Sequence, residues 1–84
     1  MNRGYFSPPV TVALLIDRVG VYRNVLSAEE AARLLVGYWP KKGRAKRFAA
    51  MRACLEVGEG RADAKVARAA FIAAVHEAEI YVKD

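Results

Sequence analysis

Val21-Tyr22-Arg23-Asn24-Val25-Leu26-Ser27-Ala28-Glu29-Glu30-Ala31-Ala32-Arg33-Leu34-Leu35 is the stretch in which the hydrophobic period of the chain changes. Before Ser27 the pattern is that of strands. After it, Ala28, Ala31, Ala32, Leu35 and Trp39 recur at helical spacing, with Leu34 and Tyr38 beside them. The junction carries its own signal. Ser27-Ala28-Glu29-Glu30 matches a capping box, in which the Ser27 hydroxyl accepts from the Glu30 amide and the Glu30 carboxylate reaches back to the Ser27 amide. Glu29 and Arg33 form a correctly oriented i,i+4 pair. Pro40 stops the helix, because it has no N–H and pushes Trp39 out of the α region.

Upstream, Val10, Val12, Leu14 and Ile16 alternate with Thr11, Ala13 and Leu15, a β-branched strand pattern. Asp17-Arg18-Val19-Gly20 supplies turn residues, Gly20 being able to take a positive φ. Val21 to Leu26 reads as the returning strand of a hairpin. Its facing is open: Val21 and Val25 share a face with Arg23, while Tyr22 and Leu26 share one with Asn24. Residues 1–8 are expected to form a loose N-terminal arm.

Downstream, a second helix is expected from about Arg44 to Val57, with Phe48, Met51, Cys54 and Leu55 on one side. Gly58-Glu59-Gly60 ends it, Gly58 suiting the left-handed C′ position. A third helix is expected from about Arg61 to Glu77. Val66, Ala70 and Ala73 form its apolar stripe, widened by Ala67, Phe71, Ala74, Val75 and Ala78. Ile80-Tyr81-Val82 extends this helix or forms a short C-terminal strand. The strand is favoured slightly, since a two-stranded hairpin is marginal without a neighbour or a covering layer. A second subunit pairing at the edge is the other way to supply that neighbour. The fold class is α+β: an N-terminal β-hairpin, three α-helices and that short strand, in one domain spanning 1–84.

Composition sets the outer limits. The chain has 84 residues, 55% hydrophobic and 27% charged, with a net charge of +5. Its mean hydropathy is only +0.05 because 16 of the hydrophobic residues are alanines. These values exclude a disordered chain, a disulfide mini-protein and a membrane-spanning helix. The excess charge is local. Lys41, Lys42, Arg44, Lys46 and Arg47 hold five positive charges, and the rest of the chain has nine bases and nine acids. Val10–Ile16 imitates a signal-peptide core but is short and runs into Asp17-Arg18 with no small-residue cleavage site, so a cytoplasmic location is expected.

Pro9-Val10, Ser27-x-x-Glu30-Ala31, Leu35, Trp39-Pro40, Gly43, Cys54, Gly58, Ala67-Arg68-x-x-Phe71, Ala74 and Glu77-Ala78 fall in a recognisable order over residues 9–82. The chain thereby resembles the small alphaproteobacterial (rhizobial) proteins collected as domain of unknown function 982. The resemblance implies a hairpin-then-helices α+β fold and a bacterial cytoplasmic protein. It implies no catalytic activity, cofactor or substrate.

Three features could carry chemistry. Lys41, Lys42, Arg44, Lys46 and Arg47, next to Trp39, Tyr38 and Phe48, could track phosphates while an aromatic ring stacks on a base. The plainer alternative is a solvated loop that keeps an apolar protein soluble. Trp39 and Phe48 also sit at spacings that predict burial. Cys54 and His76 are the sole candidates for a nucleophile and an imidazole base. Mid-helix beside Met51 and Leu55, Cys54 reads as a small buried hydrophobe. Two such ligands also fall short of a structural zinc site. Arg68, flanked by Val66, Ala67 and Phe71, is expected to pair with Glu30, Glu77 or helix C-terminal carbonyls in an architectural clamp. The helix pair around Gly58-Glu59-Gly60 suggests a helix-turn-helix, but with Asp63 and many alanines its second helix is a poor DNA reader.

These residues point to a small non-enzymatic interaction module, self-associating or binding another protein, with no cofactor, no metal and no membrane. Polyanion or nucleic-acid binding through 41–47 is the alternative. Ser27, Glu30, Trp39, Pro40, Cys54, Gly58, Arg68 and Phe71 are expected to be structural.

Overall fold

β1 (Tyr5–Ile16) and β2 (Val19–Ser27) form an antiparallel hairpin, followed by α1 (Ala28–Gly37), α2 (Arg44–Gly58), α3 (Ala64–Glu77) and β3 (Tyr81–Lys83). This is a computed structural model that describes residues 4–16, 18–41 and 44–83. The hairpin-then-helices order read from the sequence is present, and the C-terminal segment is a strand. β3 pairs antiparallel with β1, Val12 facing Val82, so the sheet order is β2-β1-β3 with the first strand in the centre.

Residues 5–8 are not a loose arm. They open β1, with Tyr5 opposite Ser27 and the Gly4 carbonyl accepting from the Ala28 amide at 2.8 Å. The reason is Phe6, which is buried with its ring 6.2 Å from that of Phe71. Residues 1–3 lie outside the described residues. Between Tyr5 and Val10 the register shifts, and the Ser7–Pro8 peptide there is cis.

The hairpin closes at the pair Ile16–Val19, which leaves only two residues to turn the chain. The positive φ therefore falls on Arg18 (69°), and Gly20 lies inside β2 opposite Leu15. Asp17 is outside the described residues. The facing of β2 is settled by the helices. Val10, Val12, Leu14 and Val25 are buried beneath them, while Tyr22, Asn24 and Leu26 face away. Arg23 shares the inner side yet stays exposed because β2 is an edge strand.

Helix packing departs from the expected stripes. α1 buries Ala28, Ala31, Leu34 and Leu35 but ends at Gly37, three residues before Pro40. On α2 the core side is Ala50, Cys54 and Val57, whereas Phe48 and Leu55 remain 55% and 60% exposed. Small Ala50 and Cys54 let α2 lie close to its neighbours, and the larger side chains are turned outward. On α3 the buried set is Ala67, Phe71, Ala74 and Val75, and Val66 is exposed.

Both later helices end in the same way. At α2 the Arg61 amide donates to the Glu56 carbonyl (2.8 Å) and the Gly60 amide to the Val57 carbonyl (3.1 Å), with Gly60 at φ 78°. That is a Schellman turn whose left-handed residue is Gly60, not Gly58, which is still helical. Because Arg61 completes this turn, α3 begins later than expected, after Asp63 in the N-cap position. At the end of α3, Ile80 donates to Val75 and Glu79 to His76, with Glu79 at φ 59°. The turn sends the chain back to the sheet as β3.

Candidate interaction site

α1 and α2 meet at their small residues and diverge at their large ones, which opens an apolar groove of about 1240 Å³ between them. Val36 forms one wall, Phe48, Met51 and Leu55 the other, and Tyr5 lies at one end. Tyr5, Val36, Phe48 and Leu55 are all exposed. Charges of both signs edge the groove: Glu29 on the α1 side, Arg52 and Glu59 on the α2 side. Glu29 is paired with Arg33 at 3.0 Å and Arg52 with Glu56 at 3.8 Å. Sequence reasoning missed this site because it merged two stripes of α2 into one. The available signal was that Ala50, Cys54 and Val57 already make a complete i,i+4,i+7 face without Phe48 and Leu55.

The basic connector is less available than its composition suggests. The Arg47 guanidinium donates from Nε to the Leu35 carbonyl (2.7 Å) and from a terminal nitrogen to that of Val36 (3.4 Å). It thus closes the C-terminus of α1, where no basic residue of α1 itself is present. The same guanidinium lies 5.7 Å from the centre of the Phe48 ring. The N-terminus of α2 lacks an acid of its own, and the Glu77 carboxylate of α3 accepts from the Lys46 amide at 2.8 Å. Lys41, Arg44 and Lys46 are exposed, and Lys42 lies outside the described residues. Trp39 packs inward, half-buried, with its ring 5.7 Å from that of Phe71. Its Nε1 is buried and has no hydrogen-bond partner among the described residues. An inward-packed indole is not a stacking platform.

The family described as "Protein of unknown function (DUF982)" matches residues 9–82, nearly the whole chain. The chain is a DUF982 protein. No curated protein and no solved structure matches it.

Three more residues that carried the resemblance, Ser27, Glu30 and Arg68, make hydrogen bonds within the fold of this DUF982 protein. Ser27 caps α1, its hydroxyl accepting from the Glu30 amide at 3.2 Å. Glu30 reaches one residue further back than a capping box requires and accepts from the Leu26 amide at 2.9 Å. Arg68 clamps a carbonyl, but of a strand. Its Nε donates to Pro8 at 2.7 Å, at the register shift where β1 has lost regular pairing, and not to Glu30, Glu77 or a helix end.

Cys54 is buried, and burial pushes its thiol from the ordinary 9.0 up to about 11. The thiol form is favoured, the reverse of what a nucleophile needs. His76 is on the exposed side of the last turn of α3. Among the described residues no three His, Cys, Asp or Glu side chains gather as a metal site would require.

Native Cys54 is therefore expected to react with Ellman's reagent far more slowly at pH 8 than the denatured chain does. A folded value above the unfolded one means that this contribution to stability is complete below pH 9. It is lost as pH rises from 9 towards 11. Urea midpoints measured across that range should show a decline that is shallower in Cys54→Ala. Equal reactivity of native and denatured protein would contradict the burial.

Proposed function

We propose that this DUF982 protein is a non-enzymatic interaction module that self-associates through the α1–α2 groove. The observation that carries the reading is the exposed apolar set of Tyr5, Val36, Phe48 and Leu55 around one groove. Soluble monomers rarely leave a large contiguous apolar patch uncovered.

A second copy is the favoured occupant for two reasons. The groove presents Phe48 as an exposed ring beside a cavity, and it carries Glu29 and Arg52 on opposite walls. A two-fold axis would insert each ring into the other copy and set the unlike charges against each other.

Edge pairing is the weaker route to a dimer. β3 already occupies one side of β1, and the edge strand β2 carries exposed Arg23, with Arg18 in the turn that precedes it, charges of the kind that discourage strand addition. The polyanion reading through 41–47 also weighs less, since Arg47 is hydrogen-bonded to α1 and the Trp39 ring packs against that of Phe71.

Sedimentation equilibrium tests the proposal. The wild type is expected to associate at high micromolar concentration, and Phe48→Glu or Leu55→Glu to weaken association at least about tenfold without unfolding the chain. A strict monomer at that concentration, or variants that associate as the wild type does, would overturn it.

A further inference from the structure

The face of the sheet turned away from the helices is organised in rows. Asn24, Thr11 and Lys83 stand side by side across the three strands, and Tyr22, Ala13 and Tyr81 form the next row. The Thr11 hydroxyl donates to the Asn24 side-chain oxygen at 3.0 Å. Ala13 is short, so the tyrosines of the two flanking strands close over it. Their ring centroids are 6.5 Å apart and their planes 73° apart, and the residues are 63% and 61% exposed.

Past Tyr22, over the edge of β2, the surface continues into a shallow pocket of about 380 Å³ lined by Tyr22, Arg23, Asn24, Arg33 and Tyr38. Two acids approach this region, and both are engaged. Glu30 accepts from the Leu26 amide, and Glu29 is paired with Arg33. None of the described outward-facing strand residues is acidic. A cross-strand aromatic pair stabilises a sheet, but that role requires neither the cations nor the amide beside it.

We propose that this face binds single-stranded nucleic acid, with bases stacking on Tyr22 and Tyr81 and phosphates held by Lys83 on the face itself and by Arg23, which reaches the edge of β2 from the inner side. Exposed aromatic rings on an antiparallel sheet offer π-faces to unpaired bases. Single-strand binders combine such rings with a cationic track. Proline-rich peptides also dock on aromatic surfaces, but Lys83, Arg23 at the strand edge and the lack of outward acids favour a polyanion. The site differs from the 41–47 connector and shares no residue with the α1–α2 groove.

The test is fluorescence anisotropy with a labelled uridine-rich RNA of about ten residues, within the usual site sizes, and with the matching DNA strand, at low salt. Saturable binding of either strand is expected, the ratio showing which sugar is preferred. Tyr22→Ala and Tyr81→Ala should each weaken binding about 5- to 150-fold, while Tyr22→Phe and Tyr81→Phe retain it. Lys83→Gln should reduce the slope of log affinity against log salt by about 0.7. The wild type gives a readout that does not depend on a variant folding: NMR shifts of the Ala13, Tyr22 and Tyr81 amides should move on adding the RNA. The proposal is overturned if neither strand binds, or if a proline-rich peptide binds and the oligonucleotides do not. It is equally overturned if neutralising Lys41, Arg44 and Lys46 abolishes binding that the tyrosine variants leave intact.

Discussion

Phe71→Ala should lower the unfolding free energy by about 3–5 kcal/mol, the largest loss expected from any single truncation in this protein. Phe71 is fully buried on α3, and its ring meets Phe6 of β1 and Trp39 of the α1–α2 connection. Two segments outside the regular helix contacts are thus fixed by one side chain. Truncation leaves a cavity that three elements would have to collapse together to fill. A domain of this size has a total stability of only about 5–15 kcal/mol, so the variant sits near its folding threshold. Urea denaturation followed by far-UV circular dichroism measures the loss, with exposed Val66→Ala as a control expected within about 0.5 kcal/mol of wild type. Trp39 emission should shift to the red in the variant, because its packing partner is gone. A midpoint no lower than that of the control would remove Phe71 from the centre of the core.

Arg47→Met is expected to cost about 1.5–3 kcal/mol, the usual worth of hydrogen bonds to a charged group. Methionine keeps much of the aliphatic stem but leaves the Leu35 and Val36 carbonyls without the guanidinium that closes α1. Lys46→Met removes the same charge one residue earlier from an exposed side chain and should change stability by less than about 0.5 kcal/mol. The pair of denaturation curves therefore separates a structural arginine from a merely basic one. Equal effects at the two positions would mean that the α1 clamp contributes nothing.

The elements of this fold were legible wherever one local rule governed them. Ser27 and Glu30 mark the start of α1, alternation marks β1, and the marginal status of a lone hairpin favours a strand at 80–82, one residue before the observed Tyr81–Lys83. What could not be read depends on long-range partners. Phe6 lies in a segment with no periodic pattern and is ordered by Phe71, far away in the chain. Arg68 finds a carbonyl 60 residues away, on a strand whose register shift no local rule announces. Gly58 and Gly60 are equally good turn residues by type, and only the Arg61–Glu56 hydrogen bond distinguishes them.

The candidate sites were harder still. Charge density drew attention to the five cations of 41–47 and to Trp39 beside them, but two of these six residues, Arg47 and Trp39, are used inside the fold. The groove and the tyrosine row depend on how α2 is rotated and on which strand stands beside β1, and neither is a property of any one segment.

The pairing of β3 with the middle of β1 joins the two most distant strands of the chain. Contacts of such long sequence separation form late, because the intervening chain must first be brought together. Tyr22 can take its place with the hairpin, but Tyr81 arrives only when the last strand docks. The paired rings are therefore a property of the finished fold, and a partly folded or C-terminally clipped molecule would lack them. Any ligand that needs both rings would distinguish completed molecules from incomplete ones.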